Sequence, residues 1–520
     1  MTITESIGPL ADSQEADRIG SRIEVDGHFG SIRFRGAVPA ESNTDWYGVE
    51  WDDPTRGKHS GTFKGVTYFT TREPTAGSFL KTCSKNIHFA RGFLQALSEK
   101  YLVQLSDSVV RLGGDGKEVE TVGWEKIVKK QTQLSRLKEV GLAGLNIGFH
   151  DGAPGEITTT CPSITDLDLS RNLFSSLSDV AKICKELPNL QSLRISFNRF
   201  KPLTADSAQE DFPSAFPNLQ AITLFGTHIT WPELTILSPY LPALTDLHFG
   251  FNSLSTFQTP TLITSFKTIT LLNLESNSLS SWSEISLLSA LPTLQTLFLQ
   301  NNSLPSIDAP KPIDFPSLKT LNLNTNKISS WQSIHNLNAF PSLCELRFKF
   351  NPVLSEIPPT DVHYILIARI GNLTILNGST ITPRNRIDCE LFYLGHCAQS
   401  RKTLSDADFD SQHPRYKDLV KLHGEPNLAP KSATSTALKD RLLVLTLVCA
   451  AKGKSVEKRL PGTMSVRVLR ATVGRLFGIR GAVRVRAVSG ADGREVELED
   501  EMREVGFYGV ESGDRIVVEV

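Results

Sequence analysis

The sequence predicts a multidomain protein with three folded parts in series: a small β-barrel-like module, an α/β solenoid of repeats, and an α+β domain at the end. Three observations carry this. An apolar-x-apolar-x-x-Asn pattern recurs through the middle of the chain at steps of 24 to 29 residues. The segment before it is dense in glycine, aromatic and β-branched residues arranged in short alternating runs. The segment after it, beyond a Ser/Thr/Pro-rich stretch, changes to longer strands around one amphipathic helix.

At 520 residues the chain is too long for one core. It is 40% hydrophobic and 21% charged with a net charge of −1, which describes a globular protein without a basic footprint for nucleic acid. No apolar run approaches the length of a membrane span, so neither nucleic acid nor membrane is an expected partner. The start, Met1 to Ser6, has neither the basic nor the apolar region of a secretory signal. Seven cysteines, with no C-x-x-C pair, fit reduced thiols in a cytoplasmic protein. The three N-x-[ST] matches, at Asn301, Asn372 and Asn377, are then silent.

Residues 1–17 are polar and aperiodic, and a disordered tail is expected there. The first module spans 18–91. Its runs Ser21–Val25 and Gly30–Arg35 alternate like strands. They precede Trp46-Tyr47-Gly48-Val49-Glu50-Trp51, then Gly57-Lys58-His59-Ser60-Gly61, then Gly65-Val66-Thr67-Tyr68-Phe69. Closely spaced glycines permit positive φ and let a peptide backbone approach. A lysine and a histidine supply donors, and the aromatics supply flat apolar walls, which suits a short acidic peptide with an aromatic end. These residues resemble the CAP-Gly domain family, whose loop reads G-K-[NH]-[DS]-G followed by G-x-x-Y-F. The resemblance implies binding of C-terminal Glu-Glu-Tyr/Phe tails, notably that of α-tubulin. It assigns the peptide-binding role to Trp46, Gly57, Lys58, His59, Ser60, Gly61 and Phe79, with His59 and Ser60 at positions where the family often has Asn and Asp.

Residues 92–136 form a bridge. Phe93–Leu97 and Tyr101-Leu102 read as helical, and a basic helix over 127–137 is expected to cap the array. Gly113-Gly114-Asp115-Gly116-Lys117 is a turn without phosphate-loop spacing.

The array and its terminal cap span 137–400. The pattern appears at Leu167/Leu169/Asn172, Leu193/Ile195/Asn198, Leu247/Phe249/Asn252, Leu272/Leu274/Asn277, Leu297/Leu299/Asn302, Leu321/Leu323/Asn326 and Leu346/Phe348/Asn351; the copy Ile222/Leu224 has Thr227 in place of Asn. This is the period of leucine-rich repeats. The asparagine amide is expected to turn inward and satisfy backbone groups at the bend. The prolines of Leu/Phe-Pro-x-Leu are expected to stop each outer helix. Positions between the repeat apolar residues point to the concave face. Arg194, Phe225, His248, Phe298, Arg347 and Lys349 are the candidates there for protein binding, with Phe225 and Phe298 as exposed apolar anchors. Leu373–Gly378 and the helix after Pro383 resemble a leucine-rich-repeat C-terminal cap.

Residues 400–424 are polar and partly helical, and a linker is expected over 401–440. From 441 to 520 the order is strand Leu442–Val448, strand Ser455–Leu460, helix Ser465–Phe477, strand Val483–Val488 and strand Asp514–Val520. That order resembles the ubiquitin-like, or β-grasp, fold. Without a terminal Gly-Gly, docking is expected of it rather than conjugation.

No nucleotide-binding, zinc-protease, hydrolase or kinase motif occurs, and none of the 11 histidines has metal-ligand spacing. A non-enzyme without cofactor or metal is expected. The order of the three modules resembles the tubulin-folding cofactor E family over nearly the whole chain. The resemblance implies a cytoplasmic, cytoskeleton-associated protein that binds α-tubulin. It implies work with other tubulin-folding cofactors and a small Arf-like GTPase to assemble or dissociate the α/β-tubulin heterodimer, with the ubiquitin or proteasome machinery as a further partner class. Tethered weak sites acting together are the expected mode of capture. The alternative is a microtubule-associated adaptor that recruits a non-tubulin partner through the repeats.

Overall fold

The computed structural model of the chain describes residues 19–38, 44–102, 134–206, 212–257, 266–312, 314–401, 404–426, 442–479, 483–490 and 493–519. The expected tail over 1–17 and the Ser/Thr/Pro-rich stretch after Pro426 lie outside them. The chain divides into two compact units, one ending at Pro426 and one beginning at Asn427.

In the first unit, strands β1 (Arg22–Val25), β2 (His28–Ala37), β3 (Asp45–Trp51), β6 (Gly77–Lys81) and β7 (Ile87–Phe89) form an antiparallel sheet in the order β6-β3-β2-β1-β7. Between β3 and β6 lies a small hairpin of β4 (Thr62–Phe63) and β5 (Val66–Thr67). Ile23, Val25, Ile32, Tyr47, Val49 and Trp51 form its core. A register shift between Ile32 and Phe34 bends β2, as a bulge does. The buried Arg22 is neutralised by a two-point bond to Asp52, at 2.6 and 2.5 Å.

One residue after β7 the chain joins the array. Strand β8 (Arg91–Gly92) pairs in parallel with β10 (Ile147–Phe149). Helix α1 (Phe93–Leu102) follows, its first amides donated to the Asp151 carboxylate from Leu94 and Gln95 at 2.7 and 3.0 Å. Phe93, Ala96 and Leu97 are fully buried in the main core. The array is therefore capped by α1, immediately after the first module. The cap expected over 127–137 falls mostly outside the described residues, and within it Leu134–Arg136 is one 3-10 turn.

The array sheet has 11 strands. It begins with β9 (Glu139–Gly141) and continues with β11 (Asp166–Asp168), β12 (Ser192–Arg194), β13 (Ala221–Thr223), β14 (Asp246–His248), β15 (Leu271–Asn273), β16 (Thr296–Phe298), β17 (Thr320–Asn322) and β18 (Glu345–Arg347), all parallel. A terminal hairpin of β19 (Ile375–Leu376) and β20 (Ser379–Thr380) closes it. In each repeat the residue before the Asn position is left-handed, from Arg171 through Phe197, Gly226, Phe251, Ser276, Asn301 and Thr325 to Phe350, with φ between 53 and 59°. That bend opens backbone groups which the asparagine fills. Asn302 Nδ2 donates to the carbonyls of Leu274 and Leu299 (3.0 and 3.1 Å), and its Oδ1 accepts from Leu279 N–H (3.0 Å). Thr227 supplies part of this with one bond to the Leu224 carbonyl, at 3.1 Å.

The other face carries short helices: α2 (Glu156–Thr160), α3 (Leu177–Lys185), α4 (Trp231–Leu237), α5 (Trp282–Ser286) and α6 (Trp331–Asn336). Four of them start at a Ser or Thr whose side chain accepts a backbone N–H: Ser176, Thr230, Ser281 and Ser330. Most then pass into a turn before the proline.

The terminal cap is larger than expected. Helices α7 (Val362–Arg369) and α8 (Pro383–Ser400) are joined by α9 (Asp406–Gln412) and α10 (Tyr416–His423). Phe409, Tyr416 and Leu419 pack with Ile365, Ala368, Tyr393, Leu394 and Cys397 in one cluster. The expected linker over 401–440 is corrected accordingly: its first half is folded cap. The partly helical reading of 400–424 agrees with α9 and α10, but their packing into the cap was not legible, because each buries only one or two apolar anchors.

The second unit consists of β21 (Leu442–Cys449), β22 (Lys454–Pro461), α11 (Val466–Phe477), β23 (Arg484–Val488), β24 (Glu495–Glu497) and β25 (Arg515–Glu519). The sheet order is β22-β21-β25-β23-β24, with β21 and β25 parallel at the centre. Leu445, Leu447, Val466, Leu469, Val473, Val485, Ile516 and Val518 fill the space under α11. This is the ubiquitin-like arrangement, with the short β24 as an addition to the expected elements.

Candidate functional site

Glycines build the loop Gly57–Gly61. Lys58 and His59 donate their backbone N–H groups to the Gly77 carbonyl at 2.8 and 3.3 Å, and Gly77 N–H returns a bond to the His59 carbonyl at 2.7 Å. A Cβ at Gly57 would stand 2.0 Å from the Thr75 carbonyl oxygen, and one at Gly77 2.4 Å from that of His59. The loop is thus strapped to the start of β6 at a separation only glycine allows.

His59 and Phe79 are brought together by this strap, with ring centroids 5.0 Å apart. Phe79 is the hub of an aromatic cluster. Around it stand Phe34 (6.3 Å), Phe63 (6.2 Å), Tyr68 (5.6 Å) and Phe69 (5.5 Å), mostly edge to face. Gly48 on β3 gives these rings room, since a Cβ there would lie 2.4 Å from the Phe69 ring. Trp46, two residues earlier on the same strand face, lies outside the ring cluster, 5.4 Å beneath the Lys81 ammonium. Lys58 and Ser60 are exposed on the loop, and Lys64 lies 5.5 Å over the Phe63 ring. The result is an aromatic floor with the Lys64 ammonium over its Phe63 ring, Lys58 exposed on the adjoining loop, and Lys81 over the neighbouring Trp46.

His59 Nδ1 accepts from Gly61 N–H at 3.0 Å, and burial lowers its pKa. The imidazole is therefore neutral at neutral pH with its proton on Nε2, a donor for a carboxylate. Lys64, Lys81, Phe34, Phe63, Tyr68 and Phe69 complete the site beyond the residues named from sequence. The signal for the rings was their density around the glycines; the lysines had none.

The concave-face candidates are more dispersed. Arg194 is tied to Asp166 at 2.9 Å, with Asp168 at 3.9 Å, and Arg347 to Glu345 at 3.5 Å. Lys349 is exposed. His248 is half-buried and burial lowers its pKa. Phe225 and Phe298, expected as exposed anchors, are half-buried: Phe225 packs on His248 (5.9 Å) and Phe251 (5.8 Å). Among the described residues of the array the exposed phenylalanines are Phe251 (45%) and Phe350 (79%), both on the left-handed bend before a repeat asparagine. Alternation along a strand does not reach that position, so it was missed. Asn273 and Asn322, also at concave positions, are buried because they accept backbone N–H groups two residues on.

Among the described residues there is no group of three His, Cys, Asp or Glu side chains able to hold a metal ion, and no helix long and apolar enough to cross a membrane.

Comparison with known proteins adds to this geometry. The CAP-Gly domain family matches residues 19–84, and the family described as Leucine Rich repeats (2 copies) matches 292–339. The chain is 33% identical over 519 residues to tubulin-specific chaperone E of Xenopus laevis, covering 96% of this chain and 97% of that one. The protein of the same name from Homo sapiens is 33% identical over 544 residues, covering 98% and 100%. The chain belongs to the tubulin-specific chaperone E family. A solved structure titled as the C-terminal ubiquitin-like domain of the mouse member of this family is 31% identical, covering 17% of this chain and 91% of that domain, at a TM-score of 0.15.

Proposed function

We propose that this chain is a tubulin-folding cofactor that holds α-tubulin by its acidic, aromatic-ended C-terminal tail. The observation that carries the reading is the aromatic floor around Phe79, with Lys64 over its Phe63 ring, Lys58 on the adjoining loop and Lys81 over the neighbouring Trp46. A terminal aromatic side chain fits against the rings by edge-to-face contact, and the carboxylates meet ammonium groups and His59 Nε2–H. The repeats, through Arg194, Phe225, His248, Phe298, Arg347 and Lys349, and the ubiquitin-like unit contact the folded body. Together with other tubulin-folding cofactors and a small Arf-like GTPase, the protein assembles or dissociates the α/β-tubulin heterodimer. No step in this role needs bond chemistry, and the residues of the site are those of a binding surface.

The test is affinity for α/β-tubulin, intact and with its acidic tails removed by protease. For the wild-type chain, tail removal should weaken binding at least tenfold, about 1.4 kcal/mol. Lys58→Glu and Phe79→Ala should bind intact tubulin no better than the wild-type chain binds the clipped form. Equal affinity of the wild-type chain for both tubulins would rule out tail capture.

A further inference from the structure

The CAP-Gly module meets the repeat array at two separate places. The first is the chain itself. Ala90 alone separates β7, which pairs with β1 of the module, from β8, which pairs with β10 of the array. Arg91 N–H donates to the Asn146 carbonyl at 2.8 Å and Arg91 Nε to that of Leu145 at 2.6 Å. A Cβ on Gly148 would lie 2.4 Å from Ala90 Cβ, so the joint is closely packed on the array side as well.

The second place lies further along the array. Arg199 follows the repeat residue Asn198. Its guanidinium donates to the Gly226 carbonyl within the array, and its Nε stands 3.8 Å from the Asp52 carboxylate of the module. Both side chains are only 19% exposed. Asp52 is already held by Arg22 inside the module, so it presents a fixed charge and not a mobile one. Lys201 extends the seam: a Cβ on Gly20 would meet its Cε at 3.4 Å. Charges from both parts also meet at His228 of the array. Burial, with Arg199 and with Arg72 of the module, pushes its pKa down to about 4.

A single joint leaves a module free to rotate about one residue's backbone angles, and a second contact away from the joint removes that freedom. We propose that Arg199 is a positioning residue: with the Ala90 joint, it holds the tail-binding surface at a fixed place on the array. The partner is then selected by geometry, since it must offer its acidic tail and its folded body at matching separation. This rests on the tail-capture reading above and adds the spatial rule by which capture works. Fixed sites gain more effective concentration than loosely linked ones when the spacing fits, and lose it when the spacing fails.

Two measurements on the full chain test it. Spin labels at Cys83, which is exposed on the module, and at Lys185→Cys on the outer helix α3, in a Cys344→Ser background, report the distance between module and array. The wild-type distribution should be narrow, Arg199→Glu should broaden it, and Arg199→Lys should restore it. Next, the gain in tubulin affinity due to the tail should fall about tenfold in Arg199→Glu and recover in Arg199→Lys, while affinity for a free tail peptide stays unchanged in all three. Should Arg199→Glu not fold, Lys201→Glu at the same seam replaces it. A broad wild-type distribution, or a tail-dependent gain that Arg199→Glu leaves intact, overturns the proposal. A tail peptide that binds none of the proteins would instead sink the tail-capture reading, and the spin-label distances would still decide whether Arg199 fixes the module.

Discussion

Gly61 shows how far a single residue sets the site. Its φ is +94°, and a Cβ there would stand 2.0 Å from the Phe69 carbonyl oxygen. Gly61→Ala therefore faces both an unfavourable backbone angle and a backbone collision, a cost of about 2 kcal/mol or more. Tail-peptide affinity should fall by over tenfold, and amide protection along Gly57–Gly61 should fall with it. If the variant binds the peptide like the wild type, the strapped loop does not form the site. In the array the same logic applies to asparagine. Asn302→Ala removes the side chain's four bonds and leaves buried carbonyl and amide groups of its own and the preceding repeat without them, an expected loss of about 2–4 kcal/mol in urea unfolding of the first unit. The exposed Lys327→Ala, in the next repeat, should stay within about 0.5 kcal/mol. Near-equal losses for the two would refute a structural role for the asparagine ladder. That role was legible in the spacing alone, because a buried amide at a bend has few other uses.

At the scale of elements, the terminal cap has its own pH dependence. His413 is buried between α8 and α10, with Tyr393 Oη at 2.8 Å and Cys397 Sγ at 3.2 Å from its Nδ1. Arg369 lies beside it, its Nη2 3.4 Å from the same nitrogen, and stacks over Trp331 at 4.3 Å. His335 and His396 also sense the Arg369 charge, and Glu390 is taken up by Arg386, Arg415 and His423. Burial, then the charges of Arg369 and His396, push the His413 pKa down from 6.5 to about 4. The unfolded chain thus takes up this proton first. The cap is at full stability above pH 6.5 and loses stability as pH falls from there towards 4, by an amount on the order of 2 kcal/mol. Hydrogen exchange of residues 404–424 should rise over that window, and His413→Gln should flatten the dependence. Exchange independent of pH, after correction for the intrinsic rate, would contradict this. The array and the β-grasp strands were legible because they repeat or alternate. The stretch of α9 and α10 read as partly helical, but its place in the cap was not legible, because a helix of seven or eight residues with one or two apolar anchors has no periodicity to read and its burial comes from residues of α7 and α8.

For the whole molecule, capture by loosely tethered sites gives way to a more constrained picture. The first module and the repeats share a one-residue joint and a second seam at Arg199, and on the proposal above they would approach a partner together. The ubiquitin-like unit is a separate compact unit. The tail-removal and Arg199 experiments therefore report different things. One asks whether the acidic tail is gripped, and the other whether the grip must sit at a fixed place.

The sequence by itself determined the three modules, the repeat spacing, the inward asparagines and the glycine loop with Lys58, His59 and Phe79. The repeat spacing, the asparagines and the glycine loop follow from local spacing or from residue types that few other structures can use; the naming of the first and last modules and the part given to Phe79 rest on resemblance to known families. The tertiary structure alone decided which rings surround Phe79, that Phe251 and Phe350 rather than Phe225 and Phe298 are the exposed phenylalanines among the described residues of the array, that the cap runs on to α10, and that Arg199 meets Asp52. Those facts depend on contacts between residues from about 10 to about 150 positions apart, and only the closed chain specifies such contacts.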